Sequence, residues 1–218
     1  MTAADSATAL IVFARAPQPG AVKTRLIPLL GANGAAALHV RLVKHALASA
    51  CEASPHRVEL HCAPDASHPF FRFCADHYGV PIQAQAGSEL GARMLAAFKQ
   101  ALCEHARVLL IGSDCPALTA RHLRQAQRAL DEGNDAVFVP CEDGGYALVG
   151  LRRAEPALFE GMPWGGENVM AETRSRLTAL GWRWRELETL WDVDRPEDYA
   201  RLMDAGLLES SSVATENR

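Results

Sequence analysis

The 218-residue chain is predicted to fold as a three-layer α/β/α sandwich on a mostly parallel sheet. Three observations carry that expectation. Strand-like and helix-like segments alternate over the first 140 residues, the pattern of successive βαβ units. Val108-Leu109-Leu110-Ile111 is an unbroken apolar run, which a strand buried on both faces of a parallel sheet requires. Near residue 145 two strands are joined only by Asp143-Gly144-Gly145, a hairpin turn sequence, which predicts a small antiparallel insertion.

The elements follow in order. Ala9 to Phe13 is a first buried strand, and a loop rich in Pro, Gly and Arg runs from Arg15 to Pro28. Ala35 to Ala50 is helical, with Leu38, Leu42 and Ala46 on one face. Val58 to Cys62 alternates as a strand, Phe70 to His77 forms a short helix and Val80 to Gln83 a short strand. Ser88 is placed to cap the next helix, with Glu89 in its first turn. Leu90, Met94, Ala97, Phe98 and Ala101 make that helix the most regular apolar stripe in the chain. After the Val108 strand come a helix from Thr119 to Glu132, the strands Ala136–Pro140 and Ala147–Leu151, and a helix from Glu167 to Leu180. The strand Trp182–Leu187 and the helix Asp194–Met203 complete the order. One domain over 8–206 is expected, with a polar, disordered tail over 207–218.

Composition narrows the function. A hydrophobic content of 49% and a charged content of 22% are those of an ordinary globular protein. A net charge of −4 supplies no field for DNA, RNA or an anionic membrane, so no nucleic-acid partner is expected. No run approaches the length of a membrane helix, and no signal peptide opens the chain. The six cysteines never form Cys-x-x-Cys, which argues against zinc or a disulfide framework and for small buried thiols in a reducing cytoplasm. Oligomeric state is not legible.

Four stretches carry chemistry. Phe13 to Leu26 follows the first strand, where nucleotide sites of α/β sheets lie, and holds Arg15, Lys23 and Arg25 in a loop shaped by Pro17, Pro19 and Gly20. Arg forks and a compact Lys suit a di- or triphosphate, although neither a Walker loop nor Gly-x-Gly-x-x-Gly is present. Gly112-Ser113-Asp114 closes the central strand; Asp114 is either a ligand for a hard cation or a turn former. Glu142, Asp143, Gly144, Gly145 and Tyr146 form either a hairpin turn or the floor of a substrate pocket. In Trp191-Asp192-Val193-Asp194, Asp194 and Glu197 have capping-box spacing and Pro196 suits a first turn, which leaves Asp192 free to join Asp114 on Mg²⁺ or Mn²⁺. Weaker pieces are Gln85, Gly91 and Arg93 for a base or ribose and Trp164 for an acceptor pocket. The eight histidines fall outside the four stretches, so a His triad has no support.

Taken together, FARAPQPGAVKTRL, the Gln85–Met94 segment, IGSDCPALT, PCEDGGYALVGL and WDVDRPEDY resemble a bacterial family of proposed nucleotide-diphospho-sugar transferases, DUF2064, across residues 9 to 203. The resemblance implies a GT-A-like glycosyltransferase fold and a transferase using a nucleotide sugar and a small-molecule acceptor. It implies phosphate contacts from Arg15, Lys23 and Arg25 and nucleotide contacts from Ser113. It also implies Asp114 as catalytic metal ligand, completed by Asp192 and Asp194, with Glu142 or Asp143 acting on the acceptor hydroxyl. The sequence keeps only the last Asp of an Asp-x-Asp motif, as Gly112-Ser113-Asp114. Lys23-Thr24-Arg25-Leu26 and Asp192-Val193-Asp194 are also similar to 2-phospholactate guanylyltransferases. That similarity keeps open a nucleotidyltransferase taking an NTP and releasing pyrophosphate; a non-catalytic nucleotide-binding protein is the third alternative.

Overall fold

The computed structural model describes residues 7–208. Seven strands form one sheet: β1 (Thr8–Arg15), β2 (Arg57–Ala63), β3 (Ile82–Ala84), β4 (Arg107–Ile111), β5 (Ala136–Pro140), β6 (Tyr146–Leu151) and β7 (Trp184–Glu186). Their spatial order is β3-β2-β1-β4-β6-β5-β7, and β6 alone runs against the others. Six helices cover it: α1 (Ile27–Glu52), α2 (Pro69–Tyr78), α3 (Leu90–Ala101), α4 (Ala120–Asp131), α5 (Val169–Ala179) and α6 (Pro196–Ala205).

Alternation along the central strands divides the core. Leu10 and Val12 of β1 and Leu109 and Ile111 of β4 face the layer built by α1, α2 and α4. Ile11, Phe13, Val108 and Leu110 face α3 and α5, where Met94, Phe98, Phe159 and Met170 close the second layer. Both faces are covered, which is why these strands read as continuous apolar runs. A third cluster joins Leu26, Leu38 and Leu42 to Trp191, Val193 and Leu202, and so clamps α6 onto α1.

The expected order of elements holds, with boundary corrections that have local causes. Glu89, not Ser88, is the N-cap of α3, in extended backbone and without a side-chain bond. Leu90 is 45% exposed and leaves the core stripe that Met94, Ala97, Phe98 and Ala101 keep. The capping box of α6 sits one residue later than the spacing suggests: the Asp198 carboxylate accepts from the backbone N–H groups of Asp194 (3.1 Å) and Arg195 (2.7 Å). Asp194 is thereby released from capping. Leu207 and Leu208 do not belong to a loose tail, since Leu208 is buried in the α1–α6 cluster and its carbonyl accepts from Arg41. The remaining tail, 209–218, lies outside the described residues. The segment Thr24–Glu52 is long and apolar enough to cross a membrane by length and composition, contrary to the run-by-run reading. Gly31 breaks its helical path at φ 69°, and Leu38, Leu42, Val43 and Leu47 are spent on the core.

Gly150 of β6 faces Leu109, Val137 and the α4 residue Leu130, leaving no room for a side chain. Gly150→Val is therefore expected to cost about 1–3 kcal/mol by overpacking, read as a lower urea midpoint at unchanged m-value.

Candidate active site

The register of the sheet brings the chemistry to one edge. β1 and β4 pair up to Val12↔Ile111, so the 15–25 loop and Gly112-Ser113-Asp114 emerge side by side. β6 enters the sheet from that same edge, with Leu148 opposite Ile111 and the Ala147 carbonyl accepting from the Gly112 N–H. After β7 the chain returns beside β5 through the Cys141↔Leu190 bridge, and the Val193 N–H donates to the Asp114 carbonyl at 2.8 Å.

Lys23 ties these pieces together. Its side chain is 4% exposed, and Nζ donates to Asp114 Oδ1 at 2.8 Å and to the Val193 carbonyl at 2.7 Å. Its backbone is left-handed, φ 48°, at the start of a short 3-10 turn over Thr24–Leu26. The resemblance makes Lys23 a phosphate contact; in the structure its ammonium is the counter-ion of Asp114. Partial burial works against the Asp114 charge, but the Lys23 ammonium prevails and holds the carboxyl below its ordinary range. Ser113, also expected at the nucleotide, is buried and its hydroxyl turns to the same Asp114 Oδ1 at 3.4 Å.

Asp114, Asp143 and Asp192 line one cavity of about 300 Å³. Asp143 and Asp192 also line a neighbouring open groove with Arg25, Arg195, Asp194 and Glu142. The Asp192 carboxyl is pushed up to about 6, first by burial and then by the charge of Asp143, with Asp114 adding to it. Asp143 shapes its own hairpin by accepting from the Gly145 N–H at 2.8 Å.

Several of the expected site residues have partners within the protein. Glu142 is gripped by both terminal nitrogens of Arg201 (2.8 and 3.2 Å), and Arg201 in turn lies over the Trp191 ring. Asp194 pairs with Arg25. Gln85 donates to the His61 carbonyl at 2.9 Å, and Arg93 to the Gly87 carbonyl at 3.0 Å. Gly91 is a packing residue, since a Cβ there would lie 2.5 Å from Trp164 Nε1 and from the Phe159 carbonyl. Arg15 is exposed at the end of β1, and Pro17 and Gly20 shape the loop around Lys23. Gly145, Tyr146 and Trp164 line the cavity, whereas Gly144 lies on the groove. His39, passed over in the sequence, is buried on α1 with Nε2 donating to the Arg15 carbonyl at 3.0 Å, and burial lowers its pKa. No local signal marks it among the core residues of α1. Cys115 and Cys141 both line the cavity, and the six cysteines are free.

A hard divalent cation fits the donor chemistry of Asp114, Asp143 and Asp192, all carboxylate oxygens lining one cavity. Among the described residues no three His, Cys, Asp or Glu side chains are close enough to enclose an ion by themselves. Water and a phosphate would have to complete the shell, which is how Mg²⁺ is commonly held.

The fold is shared with nucleotide-diphospho-sugar transferases and nucleotidyltransferases. A proposed nucleotide-diphospho-sugar transferase from Desulfovibrio desulfuricans G20 is similar over 94% of this chain and 89% of its own, at 29% identity and a TM-score of 0.84. CMP:2-keto-3-deoxy-manno-octonic acid synthetase complexed with CTP is 12% identical, over 94% of this chain and all (100%) of its own, with a TM-score of 0.61. Rv0371c of Mycobacterium tuberculosis H37Rv, in complex with manganese, is 19% identical over 94% and 99% of the two chains, at a TM-score of 0.52. The last two share the fold alone. No curated protein matches the chain. The family model described as an uncharacterized protein conserved in bacteria (DUF2064) matches residues 46–166, and the chain belongs to that family.

Two outcomes follow from the charges. Lys23→Met strands the Asp114 carboxylate and the Val193 carbonyl, and is expected to cost about 1–3 kcal/mol while raising the Asp114 pKa, read by urea denaturation and carboxyl NMR. Folded Asp192 holds its proton to about pH 6, whereas an unfolded Asp releases it near pH 4. The folded state therefore binds more protons in that window, and stability falls as pH rises through it. Asp192→Asn should flatten this part of the stability–pH profile.

Proposed function

We propose that the chain is a transferase acting on an activated nucleotide, with a nucleotide sugar as donor and residues 8–206 as its single catalytic domain. The observation that carries this reading is the convergence on Lys23: one ammonium joins the basic loop, Asp114 and the 191–194 segment at the carboxyl edge of the sheet. Ligands of open α/β sheets bind at that edge. The similarity to a proposed nucleotide-diphospho-sugar transferase at 29% identity supports a nucleotide-sugar donor. Three free, buried thiols, Cys62, Cys74 and Cys141, suit a reducing cytoplasm.

In this reading Asp114 and Asp192 hold Mg²⁺ or Mn²⁺, and the Rv0371c complex shows that a protein of this fold takes manganese. When bound, the cation supplies Lewis-acid stabilisation of the diphosphate. Arg15 and Arg25 stand exposed on the loop to meet phosphate oxygens; Arg25 exchanges Asp194 for the ligand. Lys23 keeps Asp114 ionised and aimed. Asp143, at the junction of cavity and groove, receives the acceptor proton, a role Glu142 is poorly placed to share while Arg201 holds it. The acceptor O–H bond breaks, its oxygen bonds to the anomeric carbon, and the anomeric C–O bond to phosphate breaks with its electron pair leaving on the nucleoside diphosphate.

A second reading, nucleotidyl transfer, is favoured by the shared fold of a CTP-bound synthetase. There the acceptor oxygen attacks the α-phosphorus of an NTP and pyrophosphate leaves.

Thermal unfolding with UDP, GDP, CTP and their sugar conjugates, with and without Mn²⁺, tests both. A true ligand at about a hundredfold over its dissociation constant stabilises by about 2.7 kcal/mol, and Asp114→Asn should remove the part that depends on the cation. Unchanged melting with every nucleotide would overturn the reading. Release of nucleoside diphosphate rather than pyrophosphate decides between its two forms.

A further inference from the structure

The cavity lined by the three aspartates also has an apolar side. Phe13, Leu90, Met94, Val149, Tyr146 and Trp164 give it an apolar, largely aromatic side, and among the described residues no Lys or Arg lines it. Asp143 and Asp192 line both the cavity and the outer groove, so they stand where the two meet. The aromatic wall is fixed by packing. Trp164 lies edge-on to Tyr146 at 6.3 Å between ring centres, and Tyr146 edge-on to Phe138 at 5.3 Å. Trp164 reaches that position because Gly91 offers no Cβ to obstruct it. Leu90, a large apolar side chain at the first turn of α3, is left 45% exposed on this wall.

We propose, on the basis of the transferase reading above, that this cavity takes the apolar body of the acceptor, a neutral or cationic alcohol or amine whose nucleophilic group is presented to Asp143 and Asp192. Two physical arguments select that class. A polyol lodged here would leave hydroxyls without partners against Phe13, Met94 and Val149, and an unpaired buried polar group is costly. An anionic acceptor would bring its charge against Asp143, the proton acceptor of that reading, in a cavity that no Lys or Arg side chain lines among the described residues. An aromatic or alkyl body removes apolar wall from water, while its single hydroxyl or amino group meets the carboxylates. The volume of about 300 Å³ is at the small end of ligand pockets, which suits one ring or a short chain rather than an oligomer.

The test uses the full chain and an isosteric set: benzyl alcohol, benzylamine, benzoate and, as an apolar-poor control, glycerol, each followed by calorimetry and saturation-transfer NMR. Benzyl alcohol and benzylamine are expected to bind, with benzoate weaker by roughly tenfold or more and glycerol silent. Trp164→Ala should weaken the two binders by roughly tenfold; the exposed Leu90→Gln, which leaves the core intact, should weaken them in the same direction. Equal or tighter binding of benzoate, or binding of glycerol in place of benzyl alcohol, would overturn the proposal. So would retention of both binders by the two variants. Each titration is repeated with saturating UDP or CTP and Mn²⁺. Undiminished aryl binding beside a bound nucleotide supports the acceptor assignment. Competitive displacement gives the cavity to the nucleotide and overturns that assignment, while the transferase reading stands. No nucleotide effect under any condition removes the transferase reading, and the acceptor assignment with it.

Discussion

The site depends on a buried ammonium. Lys23 is 4% exposed at its side chain, a costly position for a charge unless its donors are satisfied. Asp114 and the Val193 carbonyl satisfy them, and each comes from a different part of the chain. The constraint is therefore topological as well as electrostatic. The loop after β1, the turn after β4 and the segment before α6 cannot separate without leaving a cation in an apolar surround, where Leu26, Val193 and Trp191 pack. The left-handed backbone at Lys23 is a further cost that this contact offsets. Charge pairing thus does what a metal or a disulfide does in other proteins: it fixes distant loops in one arrangement before any ligand arrives.

Much of the architecture was legible because two periodicities are plain in the residues. The buried strands read as unbroken apolar runs, and α3 shows its stripe at Met94, Ala97, Phe98 and Ala101. The meeting of Asp114 with the Asp192 segment was legible as well, since both follow strands at the same edge. The partners of individual charges were not. Nothing local distinguishes a Lys that reaches phosphate from a Lys that reaches a carboxylate 91 positions away, because the choice is made by loop packing. The pairing of Glu142 with Arg201 and of Asp194 with Arg25 was illegible for the same reason. His39 was invisible because it occupies one position on the buried face of α1, among alanines and leucines.

Glycine sets the shape of the cavity where a larger residue would close it. At Gly144, φ is 89°, and a Cβ would run into the Glu167 backbone. The same residue donates to the Cys141 carbonyl and accepts from the Met170 N–H, so one small residue joins the 140–146 hairpin to the start of α5. At Gly91, helix α3 gives way to the Trp164 ring in the same manner. The motif that reads as a turn in sequence is a packing joint in space, and the two descriptions are compatible. The hairpin needs Gly for its conformation, and the cavity needs it for close approach.

The reversed strand completes the argument. In a purely parallel sheet one edge receives only the carboxyl ends of strands, and so only the turns that lead into helices. β6 runs the other way, so its first residues arrive at the edge where β1 and β4 finish. That brings Tyr146 and Ala147 against Gly112, and it carries the preceding turn, with Asp143, over the same opening. The edge therefore holds two chemically distinct surfaces. One is polar, from the loops of parallel strands, and is the surface proposed above for the diphosphate. The other is aromatic, from the hairpin and the Trp164 segment, and has no charge to offer except at its rim. A transferase must bring a dianionic donor and a nucleophile into contact while keeping their surroundings different. A single antiparallel strand in an otherwise parallel sheet provides that division without a second domain.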